Sequence, residues 1–414
     1  MAAHGDRDHS RWSASATARN WACPGALAMA ERVTAPERES DAAAWGTACH
    51  QLAERCLRDG VEASIFIDEI EHTKEHEIEV DEEMAETAQV FVDYVRAAST
   101  GGKPLWLEER FSLDDLDPPF EAGGTCDAVI YHPADKTLEV VDLKGGRGVV
   151  VEVKGNPQLR TYALGAMLAH SDMKVRSVKV TIIQPRAPHK DGRIRSETFH
   201  VADLAEWTTD LVDAMRRAQE AMQKRAEMAD GPWSNAYLQA GDHCKFCRAA
   251  AICPALEKKA FDAAGVWFDD IDQPRLANTP DSLSPEELAV RLDAADMISE
   301  WIGAIRAYAH SLAEGGTEIP NYQLVEKIGR RAWATDDEAK IAADLHKVAG
   351  LDDDRIYNRK LKSPAQIEKL GKEVKKKIEN MWHAPVKGTN LVRADKTTRP
   401  AAKSAPEKFF DVLN

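Results

Sequence analysis

The sequence predicts an α/β fold, a mixed central sheet flanked by helices, followed by a mainly helical C-terminal region. Residues 129–131, 138–141 and 178–185 form short segments rich in β-branched and aromatic residues, as buried strands are. Residues 156–170, between the second and third of these segments, carry leucines on a helical pattern. Strands that alternate with helices are typical of α/β domains, whereas helical patterns dominate after about residue 261.

The N-terminal part of the chain adds three helices and one strand. Residues 13–16 can cap a first helix, and a second begins near Ala43, where apolar residues recur at helical spacing. Residues 82–98 have a clear amphipathic pattern, and residues 105–111 alternate between apolar and polar as a half-buried strand does. We expect these helices to flank the sheet.

Further elements follow the central segments. A turn at residues 190–193 leads into a strand that ends at His200, and a long helix is predicted over residues 205–228. Residues 231–235 are predicted as a loop. A capping box with proline at the first helical position, residues 284–287, predicts another long helix.

At 414 residues the chain is too long for one ordinary core, which predicts two folded domains. We assign residues 10–260 to an α/β domain that contains a cluster of cysteines and residues 261–386 to a mainly helical domain. Residues 387–414 are expected to form an extended or disordered tail. Within the second domain, residues 322–325 are predicted as a short strand and residues 335–349 as a helix.

Composition limits the classes of protein that fit. Hydrophobic residues make up 43% of the chain and charged residues 30%, which is ordinary for a soluble globular protein. No apolar run is long enough to span a bilayer, and the N-terminus lacks the apolar segment of a signal peptide. We therefore expect a cytoplasmic protein without a membrane partner. The formal net charge of −15 argues against non-specific coating of nucleic acid, but it allows an acidic metal site.

Acidic and basic side chains cluster where the central strands end. Asp127 and Asp142 each lie at the edge of a strand, and Lys144 projects to the same face as Asp142 because strand side chains alternate. Gln158 and Tyr162, four residues apart on the following helix, share one face of it. Two carboxylates, a lysine and a polar helix face form the layout of a divalent-metal phosphodiesterase site.

Phosphodiester hydrolysis explains why these residue types are needed together. The charge of a phosphodiester repels nucleophiles and its alkoxide leaving group is poor, and a hard cation relieves both problems. Mg²⁺ takes a few carboxylate oxygens and keeps its other positions for water and substrate. Lys144 can hold the attacking water or stabilise the transition state, while Gln158 and Tyr162 contact the DNA end or backbone.

Each motif is weak by itself. Asp-x-Lys occurs by chance in most proteins of this length, and Gln158 and Tyr162 would fit an interface pair equally well. His50, one turn after Gly46, is more simply a solvated or capping histidine when taken alone. The order of four motifs is far more specific: this histidine, then Gly124-x-x-Asp, then Asp-x-Lys, then Gln-x-x-x-Tyr.

In these four motifs the chain resembles the RecB-like branch of the PD-(D/E)XK nuclease superfamily, over residues 13–254. It is similar to the CRISPR-associated RecB-like exonucleases and, more closely, to a phage- and prophage-encoded family with an uncharacterised C-terminal extension. The resemblance implies a PD-(D/E)XK nuclease core and a deoxyribonuclease that depends on Mg²⁺ or Mn²⁺. It also implies the roles of the site residues: His50, Asp127, Asp142 and the backbone carbonyl of Leu143 as metal ligands, and Asp127, Asp142, Lys144, Gln158 and Tyr162 as the catalytic set.

The cysteines divide into two groups. Seven cysteines in a chain without an evident leader make a poor disulfide framework. Three of them lie in apolar segments and are most simply small buried hydrophobes: Cys49, Cys56 and Cys126. Three others lie in one short loop, Cys244, Cys247 and Cys253, and three thiolates complete neither a tetrahedral nor a cubane site.

The same nuclease branch suggests a fourth ligand. Many of its members carry a 4Fe-4S cluster held by one N-terminal and three C-terminal cysteines. Cys23, followed by a proline, matches the N-terminal position. The resemblance therefore implies an iron–sulfur cluster on Cys23, Cys244, Cys247 and Cys253. A zinc site with His243 as the fourth ligand and free buried thiols are the alternatives, and iron–sulfur is favoured over zinc.

The expected function is hydrolysis of DNA, as an exonuclease, in phage recombination or DNA processing. DNA is the expected partner, with a phage single-strand-binding or annealing protein as a second one. Basic residues toward the C-terminus form either a solvated helix face or a patch that contacts phosphates, with five candidates: Arg359, Lys360, Lys375, Lys376 and Lys377. The alternatives are a CRISPR-adaptation-like nuclease that trims DNA ends, and a catalytically silent DNA-binding accessory protein of recombination.

Overall fold

The structure is a computed structural model that describes residues 10–34, 39–147, 149–265, 284–324 and 337–349, together with residue 377. The described residues up to 324 belong to one compact unit, and residues 337–349 belong to a second. The domain boundaries at residues 260 and 386 stay predictions.

Helices and strands alternate along the described chain. The strands are β1 (Trp12–Ser13), β2 (Ile70–His72), β3 (Glu77–Glu79), β4 (Leu105–Ser112), β5 (Ala122–His132), β6 (Thr137–Leu143), β7 (Ser177–Ile183) and β8 (Ile194–His200). The helices are α1 (Thr17–Ala22), α2 (Ala26–Ala30), α3 (Asp41–Asp59), α4 (Glu82–Ala98), α5 (Pro157–Ala169), α6 (Val201–Lys224), α7 (Asp230–Tyr237), α8 (Pro254–Gly265), α9 (Pro285–Glu314) and α10 (Glu338–Ala349).

The main sheet is mixed. Its strand order is β1-β5-β6-β7-β8, with β4 paired to β5. β6 and β7 are parallel and are joined through α5, whereas β4–β5, β5–β6 and β7–β8 are antiparallel. β2 and β3 form a separate two-stranded sheet.

Helices cover both faces of the main sheet. α5 and α6 pack on one face, where Leu159 and Leu211 join Val140 of β6 in one apolar core. α3 and α4 pack on the other face, where Leu52 and Phe91 join a second core. The predicted fold class, a mixed sheet between helices, is therefore confirmed.

The two edges of β5 are used differently. One edge pairs with β4 over residues 123–130. The opposite edge pairs with β1 at residues 122–123 and with β6 at residues 128–132. Since no described strand pairs with residues 124–127 on this second edge, the motif Gly124-x-x-Asp lies in a gap between two partner strands.

The start of α5 is fixed by its own sequence. The side chain of Asn156 accepts hydrogen bonds from the backbone N–H groups of Gln158 at 3.0 Å and Leu159 at 3.2 Å. Pro157 takes the first helical position, where its missing N–H has no intrahelical partner to lose. Because Leu159 is buried in the core, α5 presents Gln158 toward the gap in β5.

Residues 231–235 correct one prediction, since they lie in α7 and not in a loop. The Gly-Pro pair suggested a loop, but proline is tolerated in the first turn of a helix. Trp233 is 1% exposed, and its Nε1 donates a hydrogen bond to the carbonyl of Ala221 at 2.8 Å. Burial of this aromatic side chain outweighs the local turn signal.

The C-terminal predictions have mixed outcomes. α9 confirms the long helix expected after the capping box, and α10 confirms the helix expected over residues 335–349. Residues 322–324 are not in a strand, and Val325 lies outside the described residues. None of the helices in the described part of the chain combines the length and the apolar character needed to cross a membrane.

Gly165 of α5 lies against the ring of Phe111. A methyl group added there would come within 2.2 Å of Phe111 Cδ2, and Phe111 is itself buried. We expect Gly165→Ala to lower the free energy of unfolding by about 1–3 kcal/mol, because overpacking outweighs the better helix propensity of alanine. Gly303→Ala on α9 is the matched control, since its added methyl group meets no described atom within 4 Å. Thermal unfolding measures both, and an unchanged Tm for Gly165→Ala would contradict the packing argument.

Candidate active site

A cleft with a volume of about 240 Å³ opens at the gap on β5. It is lined by the side chains that the sequence predicted, namely His50, Asp127, Asp142, Lys144, Gln158 and Tyr162. α3 supplies the histidine, β5 and β6 supply the two aspartates, and α5 supplies the last two residues. Side chains from positions that span more than a hundred residues of sequence therefore meet in one place.

A chain of polar contacts runs across the cleft from β6 to α5. Lys144 Nζ lies 2.9 Å from Asp142 Oδ2 and donates a hydrogen bond to Gln158 Oε1, also at 2.9 Å. Gln158 Nε2 in turn donates to the hydroxyl of Tyr162 at 2.9 Å. The lysine is thus held between a carboxylate and an amide oxygen, with its ammonium group at the cleft.

His50 and Asp127 form the other side of the site. His50 Nδ1 lies 3.2 Å from Asp127 Oδ1, and the backbone N–H of Leu143 donates to Asp127 Oδ2 at 2.6 Å. This hydrogen bond bridges the gap between β5 and the end of β6 and orients the carboxylate. The role of the Leu143 carbonyl as a metal ligand stays a prediction.

Burial and charge oppose each other in this group. Burial alone would lower the pKa of His50, but the Asp127 carboxylate beside it raises the pKa to about 9. Burial would raise the pKa of Asp127, but His50 and the N–H of Leu143 hold it below its usual value. Burial, with help from Asp127, raises the pKa of Asp142 against the opposing effect of Lys144. Two carboxylates enclosed this closely favour a cation between or beside them.

Glu108 is a site residue that the sequence prediction missed. One ligand atom each from His50, Glu108 and Asp127 lie within 4.8 Å of one another, close enough to hold one ion. Glu108 is buried, on β4 next to Asp127, and its backbone is left-handed with φ of 49°. This conformation is unusual for a residue with a side chain and occurs often at functional sites. In the sequence, Glu108 lies in a segment that alternates between apolar and polar residues as an ordinary strand does. Nothing in that segment marks it as a site residue.

Five further polar residues that line the cleft were also missed: Ser10, Ser13, Ser15, Arg110 and Thr125. Arg110 lies opposite Thr125 in the β4–β5 register. They lie two residues from Glu108 and Asp127 on their strands, so Arg110 is a second cation of the cleft besides Lys144, and its Nη2 lies 3.6 Å from Glu121 Oε1. Hydroxyl and guanidinium groups there suit a phosphate oxygen.

The donor set suits a hard divalent cation. His50, Glu108 and Asp127 offer one imidazole nitrogen and two carboxylates, a mixture that is compatible with Mg²⁺ or Mn²⁺. Asp142, predicted as a ligand, is held by Lys144 but lines the same cleft. Asp127 belongs to both groups, since it lies with His50 and Glu108 close enough to hold one ion and lines the cleft with Asp142.

A second, smaller cavity is lined by all four cysteines predicted to form a cluster: Cys23, Cys244, Cys247 and Cys253. His243 lines it too, and a hydrogen bond with Cys23 raises the pKa of His243. Among the described residues, only the His50, Glu108 and Asp127 group has its ligand atoms within 4.8 Å of one another.

Most of the predicted DNA-contacting residues lie outside the described residues: Arg359, Lys360, Lys375 and Lys376. Lys377 is described and is exposed. Their role in DNA binding stays a prediction.

Comparison with known proteins identifies the family. A model described as "Protein of unknown function (DUF2800)" matches residues 9–399. The chain belongs to this DUF2800 family.

Two solved structures are similar to this DUF2800 protein. One is an alkaline exonuclease from Laribacter hongkongensis, at 12% identity and a TM-score of 0.24, over 52% of this chain and 94% of that one. The other is a phage-related exonuclease from Haemophilus somnus 129PT, at 14% identity and a TM-score of 0.23, over 54% of this chain and 98% of that one. The finer assignment to RecB-like nucleases with iron–sulfur cysteines stays a prediction.

Proposed function

We propose that this DUF2800 protein is a deoxyribonuclease that depends on Mg²⁺ or Mn²⁺ and degrades DNA from its ends. The observation that carries the proposal is that two carboxylates, those of Asp127 and Asp142, line one cleft. The side chains of Lys144, Gln158 and Tyr162 line the same cleft. Lys144 contacts both Asp142 and Gln158 there. If the pair of Lys144 and Asp142 were purely structural, it would not require an imidazole and two further carboxylates beside it. His50, Glu108 and Asp127 supply these groups.

The metal would be held by His50, Glu108 and Asp127, with Asp142 and the Leu143 carbonyl as further candidates. A divalent cation bound there supplies an activated water and neutralises charge on the scissile phosphate. Asp127 is kept in its ionised, ligand-ready form by the N–H of Leu143 and by His50. Glu108 adds the second charge that balances a divalent ion.

The remaining residues act on the substrate. Lys144 places an ammonium group next to where the attacking water or the phosphate oxygen would lie. A partly buried charge stabilises the transition state more than a solvated charge does. Gln158 orients Lys144 through its Oε1, and the hydroxyl of Tyr162 orients Gln158. Arg110 and the hydroxyl of Thr125 line the side of the cleft where a neighbouring phosphate would enter.

A role in phage DNA recombination or processing is the biological context that we propose. In that context DNA is the substrate, and a phage single-strand-binding or annealing protein is a partner. A nuclease that trims ends before CRISPR adaptation shares the chemistry and differs in its gene neighbourhood. A catalytically silent DNA-binding protein is the second candidate, and the net charge of −15 does not favour it.

Digestion of end-labelled linear duplex DNA, with circular DNA as control, tests the proposal. We expect the linear DNA to be degraded with Mg²⁺ or Mn²⁺, the circular DNA to survive, and a chelator to stop the reaction. Degradation of both substrates would show an endonuclease. Survival of both at every metal concentration would refute the enzyme and leave the silent DNA-binding protein.

We also propose that Cys23, Cys244, Cys247 and Cys253 hold a 4Fe-4S cluster. What supports this is the cavity that the four cysteines share. Such a cluster supplies cross-links between the N-terminal helices and the loop before α8, and these restrict the unfolded chain. Zinc with His243 is the alternative, since His243 lines the same cavity.

Purification without air tests the cysteine site. We expect a brown protein with broad visible absorption, and about four iron atoms per chain by metal analysis. Cys244→Ser should lose the colour and most of the iron, whereas Cys56→Ser, at a buried cysteine outside the cavity, should keep both. A colourless protein with one zinc ion per chain would favour the alternative.

A further inference from the structure

Lys144 stands at the start of an irregular connection. Its backbone N–H makes the last hydrogen bond of β6 to β7, to the carbonyl of Ile183 at 2.8 Å. Residues 145–156 then join β6 to α5 without a helix or strand among those described. The direction of the Lys144 side chain therefore depends on what holds this connection.

Arg186, three residues after β7, holds the first residue of the connection. Its Nη1 donates a hydrogen bond to the carbonyl of Gly145 at 2.8 Å, and its Nε donates to Glu83 at 3.1 Å. Its guanidinium carbon lies 3.6 Å from the centroid of the Trp45 ring. The side chain is 12% exposed. A planar cation contacted from three directions is held in one orientation.

Trp45 links this contact to the histidine of the site. It lies on α3, the helix that carries His50, and its ring packs on Gly145 as well as on Arg186. A Cβ atom added at Gly145 would lie 3.0 Å from Trp45 Cζ3. The stack of Arg186 on Trp45 thus ties the backbone next to Lys144 to the helix that supplies His50.

The far end of the connection is held separately. Gln184 donates to the carbonyl of Val149 at 2.7 Å and accepts from the N–H of Val151 at 3.1 Å. Arg195 donates to the carbonyl of Val151 at 2.8 Å and to Gln184 at 2.9 Å. Loss of Arg186 should therefore release the Lys144 end while the rest of the connection stays in place.

We propose that Arg186 is a positioning residue that aligns Lys144 with the carboxylates of the cleft by holding the Gly145 carbonyl against Trp45. It touches neither the cleft nor the substrate and acts through Lys144. Lysine cannot replace it, because an ammonium group lacks the planar face and the second fixed donor. The catalytic consequence rests on the proposed nuclease function, whereas the alignment of Lys144 does not.

Arg147 provides the matched control. It pairs with the same Glu83 carboxylate but is 63% exposed, and it makes none of the Gly145 or Trp45 contacts. Arg147→Gln removes a cation from Glu83 and leaves two contacts of Arg186 intact, the hydrogen bond to the Gly145 carbonyl and the stack on Trp45. Arg186→Lys keeps the positive charge and removes these two contacts.

The kinetic test compares these two variants with wild type. For Arg186→Lys we expect kcat of Mn²⁺-dependent DNA hydrolysis to fall about 10- to 100-fold, with KM for DNA within about twofold. Arg147→Gln should keep the wild-type kcat. A wild-type kcat for Arg186→Lys in an active enzyme would overturn the proposal, and so would an equal loss in both variants.

A spectroscopic test covers the case of an inactive wild type. Lysines are ¹³C-methylated, and the NMR signal of Lys144 is identified as the one lost in Lys144→Arg. We expect this signal to move in Arg186→Lys and to stay in place in Arg147→Gln. If wild type hydrolyses no DNA, the proposed function fails and this signal still decides the position of Lys144. An unmoved signal in Arg186→Lys would overturn the proposal.

Discussion

Lys144→Ala should reduce DNA hydrolysis by about 10²–10³-fold while the protein keeps its metal. Lys144 Nζ contacts Asp142 and Gln158 at 2.9 Å each, so the substitution removes the ammonium group that pairs with Asp142 in the cleft. Removing a positive charge next to the carboxylates should leave Mn²⁺ affinity unchanged or raise it. Activity and metal binding are thereby separated.

Asp127→Ala should differ from Lys144→Ala in its metal binding. It removes a carboxylate that contacts His50 and the N–H of Leu143, so both Mn²⁺ binding and hydrolysis should be lost. Asp142→Ala should also abolish hydrolysis. Calorimetric titration with Mn²⁺ and the end-labelled DNA assay measure the two properties on the same preparations.

Lys154→Ala is the matched control for the lysine, since Lys154 is exposed and does not line the cleft. It should keep full activity. Wild-type rates for Lys144→Ala would contradict the assignment of the site. A loss of Mn²⁺ binding in Lys144→Ala would show instead that the lysine supports the metal.

The order of the four motifs predicted which side chains line one cleft, because each motif contains polar groups of a recognisable chemical type. The sequence could not show Glu108, since its pattern on β4 is that of an ordinary alternating strand. Its left-handed backbone, with φ of 49°, and its place beside Asp127 depend on how β4 pairs with β5. Long-range pairing of this kind leaves no local signal.

Prediction of the fold from the sequence has the same limit as prediction of the site. The bounds of α4 and α5 were predicted within a residue or two, whereas β5 begins seven residues before the predicted segment 129–131 and α6 spans Val201–Lys224 and not residues 205–228. α7 was missed because it is stabilised by the burial of Trp233, whose Nε1 donates a hydrogen bond to Ala221 twelve residues earlier. The gap on β5 could not be predicted from the sequence either, because it arises where two different strands, β1 and β6, pair with the same edge of β5.

Glu139 should matter as much for stability as Lys144 does for activity. It lies on the same strand as Asp142 and is fully buried. Its Oε1 accepts hydrogen bonds from Tyr94 at 2.6 Å and Thr181 at 2.9 Å, and it lies 3.0 Å from the ammonium of Lys179. Its Oε2 lies 2.8 Å from His132 Nε2. These donors replace the water that the carboxylate loses on burial, so removing them from the folded state is costly.

Glu139→Gln should lower the free energy of unfolding by about 3 kcal/mol. The amide NH₂ group would face donors where the carboxylate accepted from them, and Lys179 would lose its buried partner. Glu206→Gln, at an exposed position of α6, makes the same change without these contacts and should shift stability by less than about 0.5 kcal/mol. Urea unfolding at neutral pH compares the two variants.

The pH dependence gives an independent check on the same carboxylate. Burial would raise the pKa of Glu139, but the hydrogen bond from Tyr94 and the charge of Lys179 hold it below the ordinary value of 4.5. A group whose folded pKa is lowered stabilises the protein above its unfolded pKa and loses this contribution as the pH falls through the folded pKa. The stability difference between wild type and Glu139→Gln should therefore be constant near neutral pH and shrink below about pH 4.5. A difference that stays constant into that acid range would mean that packing, and not the charge of Glu139, stabilises this part of β6.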